Sequence, residues 1–419
     1  MTIVISKLFF SIIGLVTSYI ILKKKKLNDL KLYQIIIFGF FSRWVILFFW
    51  FFFLDGNVSG DVKGYELHIK WVLEGRVPNR DFSSPYGFYF NYILSVPYFL
   101  FKHPIIIMIV SQLFELVGFF LFYLSIKKLL SNYRAKIFAL LYFTNPLVIA
   151  WLAFDGQDES LMIFAFGAIF YAVVFSSRLF IFFSSCFSLF AVKITALAAV
   201  FPLIMVSSRR DIFGNLLFAL LFLFTPLMLN SSIFGFKFER ENGFDVLVEY
   251  FFPGNIWFLI SQVFENKNLL LLASRLTTIL LILFVTWMLF QFKNKISKPV
   301  FIAFGVCLYT FTFQIGSSYV SPGFIATIIP FLIFFLLINN ITNKKKIYLF
   351  SFYSFIISFD LMIYLRLEKY FINIHAEKFF NFLFIPYELL IVFSNFFYFS
   401  ILIKFFLETA RGNNLAKLN

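Results

Sequence analysis

"SGDVKGYELHIKWVLEGRVPNRDFSSPYG", residues 59–87, is the longest stretch in the first hundred residues that a lipid bilayer would reject. It carries two aspartates, a histidine and several prolines and glycines, and it sits between two hydrophobic blocks. The reason for keeping so polar an insertion there decides how the whole chain is read.

The surroundings set the class. Of 419 residues, 61% are hydrophobic, 23% aromatic and 14% charged, with a mean hydropathy of +0.90; a soluble domain is about 25% charged. This is the composition of an integral membrane protein. Cys186 and Cys307 both lie inside apolar runs far apart in sequence, which excludes a disulfide framework or a zinc cluster built on cysteine. The formal charge of +15 does not point to nucleic acid. Its lysines and arginines fall in short clusters between hydrophobic spans, where the positive-inside rule places them. The first apolar run, 3–22, lacks the n-region and cleavage site of a signal peptide and reads as a retained span. The abundance of Lys, Ile, Asn and Phe (70 Phe) suggests an AT-rich prokaryotic genome and hence a prokaryotic cell membrane.

A spanning helix needs about 20 apolar residues. On that basis crossings are expected near 3–22, 34–54, 104–126, 137–153, 160–176, 211–229, 269–291, 299–316, 323–338, 347–366 and 383–404. Two stretches are ambiguous, 86–101 and 179–206. The basic clusters at 23–26, 127–136, 209–210, 293–298 and 344–346 share the cytoplasmic side only if 86–101 does not cross and 179–206 crosses twice or not at all. The first is broken by Pro97 and suits a juxtamembrane or re-entrant helix. The second suits two half-helices meeting near Lys193, tolerable where that backbone is buried in protein or lines a cavity. The expected fold is therefore an all-α polytopic membrane protein of about 11–13 transmembrane helices. It forms one domain over residues 1–419, with a first outer loop at 55–103 containing a juxtamembrane helix and a second outer loop at 230–268. Asp61, Asp81, the Asp155–Asp158 turn, the 230–268 loop, the 314–322 turn and the polar 366–378 segment then all emerge on one non-cytoplasmic face. That is where an active site would be built.

Within the opening stretch Asp61, Tyr65 and His68 fall at i, i+4 and i+7, one stripe of a helix that Gly75 stops. Val62, Ile69, Val72 and Leu73 form an adjoining apolar stripe. Asp61 can be an N-cap or a catalytic group, and the two roles can coexist. In "FDGQDES", 154–160, Asp158 could simply cap the next helix and Asp155-Gly156 is an ordinary turn pair. Ionisable groups at a membrane boundary are nevertheless functional candidates. Lys193, amid about 28 apolar residues, costs on the order of 2.5–3.5 kcal/mol at a helix centre. It either snorkels from a re-entrant tip or neutralises a phosphate held in a low-dielectric setting. Arg43 has the same ambiguity, nearer the cytoplasmic end. There is no phosphate-binding P-loop, no G-x-G-x-x-G fingerprint, no H-E-x-x-H and no G-x-S-x-G. The three histidines, at 68, 103 and 375, are scattered. With no cytoplasmic loop long enough for a nucleotide-binding domain, an enzyme of this design would draw an activated substrate from the membrane.

Four segments, "GDVKGYELHIKWVLEGRVPNRDFSSPYGF" (60–88), "NPLVIAWLAFDGQDESL" (145–161), "AVKITALAAVFPLI" (191–204) and "QIGSSYVSPGF" (314–324), occur in an order and spacing covering roughly residues 40 to 335. In these the sequence resembles the GT-C superfamily of polytopic glycosyltransferases, and most closely the branch of GPI mannosyltransferase I and related prokaryotic mannosyltransferases. The resemblance implies transfer of a sugar, a hexose such as mannose, from a polyprenyl-phosphate-linked donor to a lipid-linked, glycan or protein acceptor. It implies Asp61 as general base or acceptor-orienting group and, with Asp158, as the catalytic pair; Lys193 and Arg80 would bind the donor phosphate. Tyr65, His68, Asp81, Asp155, Gln157, Gln314 and Tyr319 would contact substrate. Ser84-Pro85-Tyr86 matches a family segment loosely, and Lys63 or Gly64 stands where the family has a second acidic residue. Whether a divalent cation or a small partner subunit takes part is left open, and no nucleic-acid partner is expected. The rival reading is a secondary transporter or a lipid or oligosaccharide flippase, which also uses broken helices and midplane charge. The absence of a visible inverted repeat and the one-sided polar loops weigh against it.

Overall fold

A computed structural model describes residues 2–23, 31–53, 58–233, 255–318, 322–338, 344–358 and 377–411. The N-terminal half contains α1 (Thr2–Lys23), α2 (Leu32–Phe53), α3 (Gly60–Leu73), α4 (Phe90–Phe101), α5 (Ile105–Leu129), α6 (Asn132–Phe143) and a π-helix (Val148–Phe154). There follow α7 (Glu159–Val174), α8 (Arg178–Ala191), a 3₁₀ turn (Ile194–Ala196), α9 (Leu197–Val206), α10 (Arg209–Met228), α11 (Ile256–Ser261), α12 (Lys267–Phe292) and α13 (Lys298–Gly316). A second 3₁₀ segment (Pro322–Ile328), α14 (Ile329–Ile338), α15 (Lys344–Ile357) and α16 (Glu377–Ala410) complete it. Among the described residues there is no strand, only one isolated bridge between Pro78 and Phe82.

The protein is an all-α polytopic membrane protein. Among the described residues six helices, within α2, α5, α10, α12, α13 and α16, are individually apolar and long enough to cross a bilayer. α1 is an unbroken 22-residue helix over the expected 3–22 crossing, and the other apolar segments among the described residues are shorter or broken. The expected crossing at 137–153 is two pieces, α6 and the π-helix, bent by 70°. The break falls at Asn145-Pro146. Asn145 Oδ1 accepts from the Leu147 and Val148 amides at 3.0 and 3.2 Å, while Nδ2 donates to Ser354 Oγ. The expected crossing at 323–338 begins as a 3₁₀ turn before α14. Of the expected 347–366 span only the part to 358 lies in the described residues.

Both ambiguous stretches resolve. Residues 179–206 form two helices broken at Lys193, as expected. At about 1.5 Å per residue α8 and α9 reach roughly 21 and 15 Å, each less than the hydrocarbon thickness of about 30 Å. The 86–101 stretch contains the 12-residue α4 with Pro97 inside it, likewise too short to cross.

α5 and α7 meet most closely at small residues. A Cβ on Gly167 would stand 2.5 Å from the Gly118 carbonyl oxygen, and one on Gly118 would stand 2.6 Å from Ile163 backbone atoms. Such small-residue crossings let helices approach in lipid, where no hydrophobic force drives them together. Arg43 corrects its sequence reading: it is fully buried, its Nη2 is 2.5 Å from Glu115 Oε1, and the same oxygen accepts from Tyr142 Oη at 3.0 Å. α2, α5 and α6 are thus joined through one charged network inside the bundle.

α5, α7 and α8 each run between two chemically distinct ends. Met108 of α5 lies against Gly156 at one end, and Lys128 at the other donates to the Val174 carbonyl at 3.2 Å. The second end also gathers Arg178, Ser207, Asp211 and Lys298 around one cavity.

Candidate active site

The opening stretch is laid over the first of these ends. Its helix starts with Ser59, whose Oγ accepts from the Val62 amide at 3.3 Å and donates to the Asp155 carbonyl at 2.8 Å. Ser59, not Asp61, is the N-cap. Asp61 sits in the first turn with an exposed carboxylate that accepts from Gln157 Nε2. Gly75, at φ +87°, ends the helix as expected. Val62 and Ile69 of the apolar stripe are buried, whereas Leu73 is exposed.

Tyr65, one turn below Asp61, is buried and donates to Asp158 Oδ1 at 2.9 Å, while its oxygen accepts from the Asp158 amide at 3.3 Å. Burial and then the Asp158 charge push the Tyr65 phenol well above its ordinary range, so it stays a donor. Asp158 occupies the N-cap position of α7 but its side chain makes no capping hydrogen bond. Instead Oδ2 lies 2.6 Å from Lys193 Nζ, and Glu159 Oε1 is 3.4 Å from the same ammonium. Tyr86 places its ring 5.6 Å from that nitrogen and stacks on Phe90 at 4.2 Å.

Lys193 is carried there by the α8–α9 break. The Gly87 and Tyr89 amides donate to the Val192 and Phe190 carbonyls at 2.9 and 3.0 Å, capping the end of α8 with the outer loop itself. The lysine side chain is 24% exposed, whereas Asp158 is 2% exposed. The cluster is therefore Asp158 and Glu159 on the Lys193 ammonium, with Tyr65 and Gln157 linking Asp158 to Asp61 in the first turn of α3.

Other expected residues stand elsewhere. Arg80 does not join Lys193: its Nε and Nη2 grip Asp81 at 2.8 and 2.7 Å, and Nη1 donates to the Leu229 carbonyl at 3.3 Å. Asp81 accepts from the Val77 amide at 2.7 Å. The Arg80 bond, with that amide, holds its carboxyl down at about 2. Both residues shape the 77–82 turn. The pairing with Asp81 keeps the Arg80 guanidinium within its own turn. His68 is buried against Trp71 and Phe82, with ring centroids at 5.5 and 5.2 Å, and burial pushes its imidazole down to about 4. Asp155 is buried and ion-paired with Lys7 of α1. Gln314 is 1% exposed at the end of α13, and neither its Nε2 nor its Oε1 has a hydrogen-bond partner among the described residues. Tyr319 lies outside the described residues. No group of three His, Cys, Asp or Glu suited to a metal occurs among the described residues; the Asp158 and Glu159 oxygens face an ammonium.

Glu159 and Lys7 escaped the sequence reading, and Tyr86 entered it only as part of the loosely matched Ser84-Pro85-Tyr86 segment. Glu159 adjoins a residue that was singled out, but nothing in one sequence reports that the lysine both carboxylates share lies 34 positions beyond Glu159. Lys7 stands alone in an apolar run, the same signal that exposed Lys193.

Fold and site together define a polytopic helical membrane protein with a carboxylate–lysine cluster at one end of its bundle. No family model matches the chain, and no curated protein does. Among solved structures it is similar to ArnT from Cupriavidus metallidurans bound to undecaprenyl phosphate, at 11% identity over 90% of this chain and 77% of that one, TM-score 0.47. It is also similar to the apo state of ArnT from Cupriavidus metallidurans, at 10% identity, 88% and 77% coverage and TM-score 0.45.

Proposed function

We propose that this protein is a membrane glycosyltransferase, moving a hexose such as mannose from a polyprenyl-phosphate donor to a lipid-linked, glycan or protein acceptor on the non-cytoplasmic face. The observation that carries the reading is the meeting of Asp61, Tyr65, Gln157, Asp158 and Lys193 from three separate segments. Attack on an anomeric carbon needs a base for the acceptor hydroxyl proton, and a base must be reachable. Asp61 is the exposed carboxylate of the set and Gln157 orients it. Asp158, buried under Tyr65 and Lys193, serves instead to aim the lysine.

The departing polyprenyl phosphate carries the charge that develops in the transition state, and Lys193 is the accessible cation beside it. An incoming phosphate competes with Asp158 and Glu159 for that ammonium, which weakens binding of the ground state. Tyr86, half-buried beside Lys193, offers an aromatic face to the sugar ring. The bond from anomeric carbon to phosphate oxygen breaks as the bond to the acceptor oxygen forms, and the proton passes to Asp61. The phosphate is already a good leaving anion, so no protonated acid is required.

Membranes containing the protein, given radiolabelled polyprenyl-phosphate sugar and a lipid or peptide acceptor, should transfer label. Asp61→Asn should lower the rate by about 10²–10⁴-fold, the worth of a general base. Transfer surviving Asp61→Asn unchanged would refute the assignment. Movement of labelled donor across sealed vesicles without transfer would point instead to a transporter.

A further inference from the structure

The Gly156–Asp158 turn supplies Gln157 and Asp158 to the site, and it is the exit of the π-helix. The last carbonyls of a helix have no partner within it and must be met from outside. Here each is met by a different element. Gln112 Nε2 of α5 donates to the Ala153 carbonyl at 2.9 Å, Trp50 Nε1 of α2 to Phe154 at 2.6 Å, and Ser59 Oγ to Asp155 at 2.8 Å. A fourth tie comes from α1. Lys7 is 3% exposed and ion-pairs with the Asp155 carboxylate, itself 1% exposed, across 148 positions of sequence. The Lys7 ammonium also stands 5.4 Å from the Trp151 ring centroid and 6.0 Å from that of Phe154, aromatics of the same π-helix.

We propose that Lys7 is a positioning residue of the active site, holding Asp155 so that the following turn delivers Gln157 to Asp61 and Asp158 to Lys193. The proposal rests on the transferase reading only for its kinetic arm. Lys7 contacts the turn through Asp155 and, on the π-helix before it, the Trp151 and Phe154 rings. The three neutral ties fix backbone carbonyls, whereas Lys7 fixes a side chain one residue before Gly156, which sits at φ +64°. Gly156 is the freest backbone position in the turn. The buried charge pair adds a side-chain tie at Asp155 to the hydrogen bond that Ser59 makes to the same residue's carbonyl. Isolated buried charge is strongly disfavoured, so Lys7 and Asp155 hold each other to one geometry.

Hydrogen–deuterium exchange on the full chain in nanodiscs tests this without any substrate. Lys7→Met should raise exchange across 153–161 by about tenfold, as expected for local opening, and leave peptides from α12 and α13 at wild-type rates. Lys7→Arg should restore protection. In the transfer assay Lys7→Met should lower kcat by about 100-fold, the size expected for an ångström-scale misplacement, with donor KM within about threefold. The doubly neutral Lys7→Met/Asp155→Asn variant should fold with wild-type Tm and keep the low kcat. It carries the test if Lys7→Met alone does not fold. Unchanged exchange at 153–161, exchange raised throughout the chain, or full kcat in the doubly neutral variant would each overturn the proposal. If wild type transfers no sugar from any donor, the transferase reading fails and the exchange result still decides the role of Lys7.

Discussion

At the scale of residues, the site separates carboxylates by exposure. Asp61 is open and singly held, Asp158 is closed over by Tyr65 and Lys193, and Glu159 completes the surroundings of that lysine. Removing the Glu159 charge should leave Lys193 freer for phosphate, so Glu159→Gln is expected to lower donor KM by about tenfold, the equivalent of one modest charge interaction of about 1.4 kcal/mol. Steady-state kinetics against donor concentration checks the sign. His68 gives a pH prediction. Its folded pKa of about 4 lies below the ordinary value of about 6.5, so between these values the unfolded chain binds more protons. The stability it confers on the outer loop is complete above about pH 6.5 and is lost as pH falls through about 4. Thermal unfolding across that window should show the slope, and His68→Asn should flatten it. Asp61, Tyr65 and the Gln157–Asp158 pair were legible from spacing and resemblance. The lysine's partners were not, because an ion pair between residues 158 and 193 leaves no periodic trace.

At the scale of elements, two breaks make the site. The π-helix ends in a turn that needs a left-handed residue, and Gly156 supplies it. Gly156→Ala places a Cβ 2.8 Å from Met108 Cγ in a conformation costing about 1–3 kcal/mol for a non-glycine residue. A lowered Tm together with loss of transfer is expected, the first by thermal shift and the second by assay. Hydropathy averages over such breaks. Asn145-Pro146 was visible, and a residue before proline is biased away from helix, yet the apolar run on both sides read as one crossing. Lys193, by contrast, announced the α8–α9 break because a charge cannot be averaged away. The Arg43–Glu115–Tyr142 network joins three helices where no solvent reaches. Glu115→Ala leaves the arginine buried without its counter-ion and should cost about 3–5 kcal/mol, read as unfolding in mild denaturing detergent; the paired Arg43→Met/Glu115→Leu exchange should recover most of it.

At the scale of the whole molecule, the two ends of the bundle differ in charge and in task. α5 is 25 residues long and so separates them by about 37 Å at 1.5 Å per residue. One end holds the carboxylate–lysine cluster, and the 77–82 turn there is tied to the end of α10 through Ser231 Oγ and the Pro78 carbonyl at 2.5 Å. The other gathers Lys128, Arg178 and Lys298. Single-cysteine labelling should distinguish them: Ser83→Cys reacting from outside intact cells and Ser208→Cys only after permeabilisation. Labelling of Ser83→Cys only from inside would overturn the expected orientation, and labelling of both from one side would refute the separation of the two ends. The sequence by itself determined the class, most of the apolar segments, the polar first loop and the lysine at a helix break. Hydrophobic length and isolated charge are local properties that a single chain displays. Only the tertiary structure decided that Ser59 caps α3 and leaves Asp61 free, that Arg80 spends its charge on Asp81, and that Lys7 reaches Asp155. Each of these is a choice among competing partners, and that choice is made by which helices pack side by side.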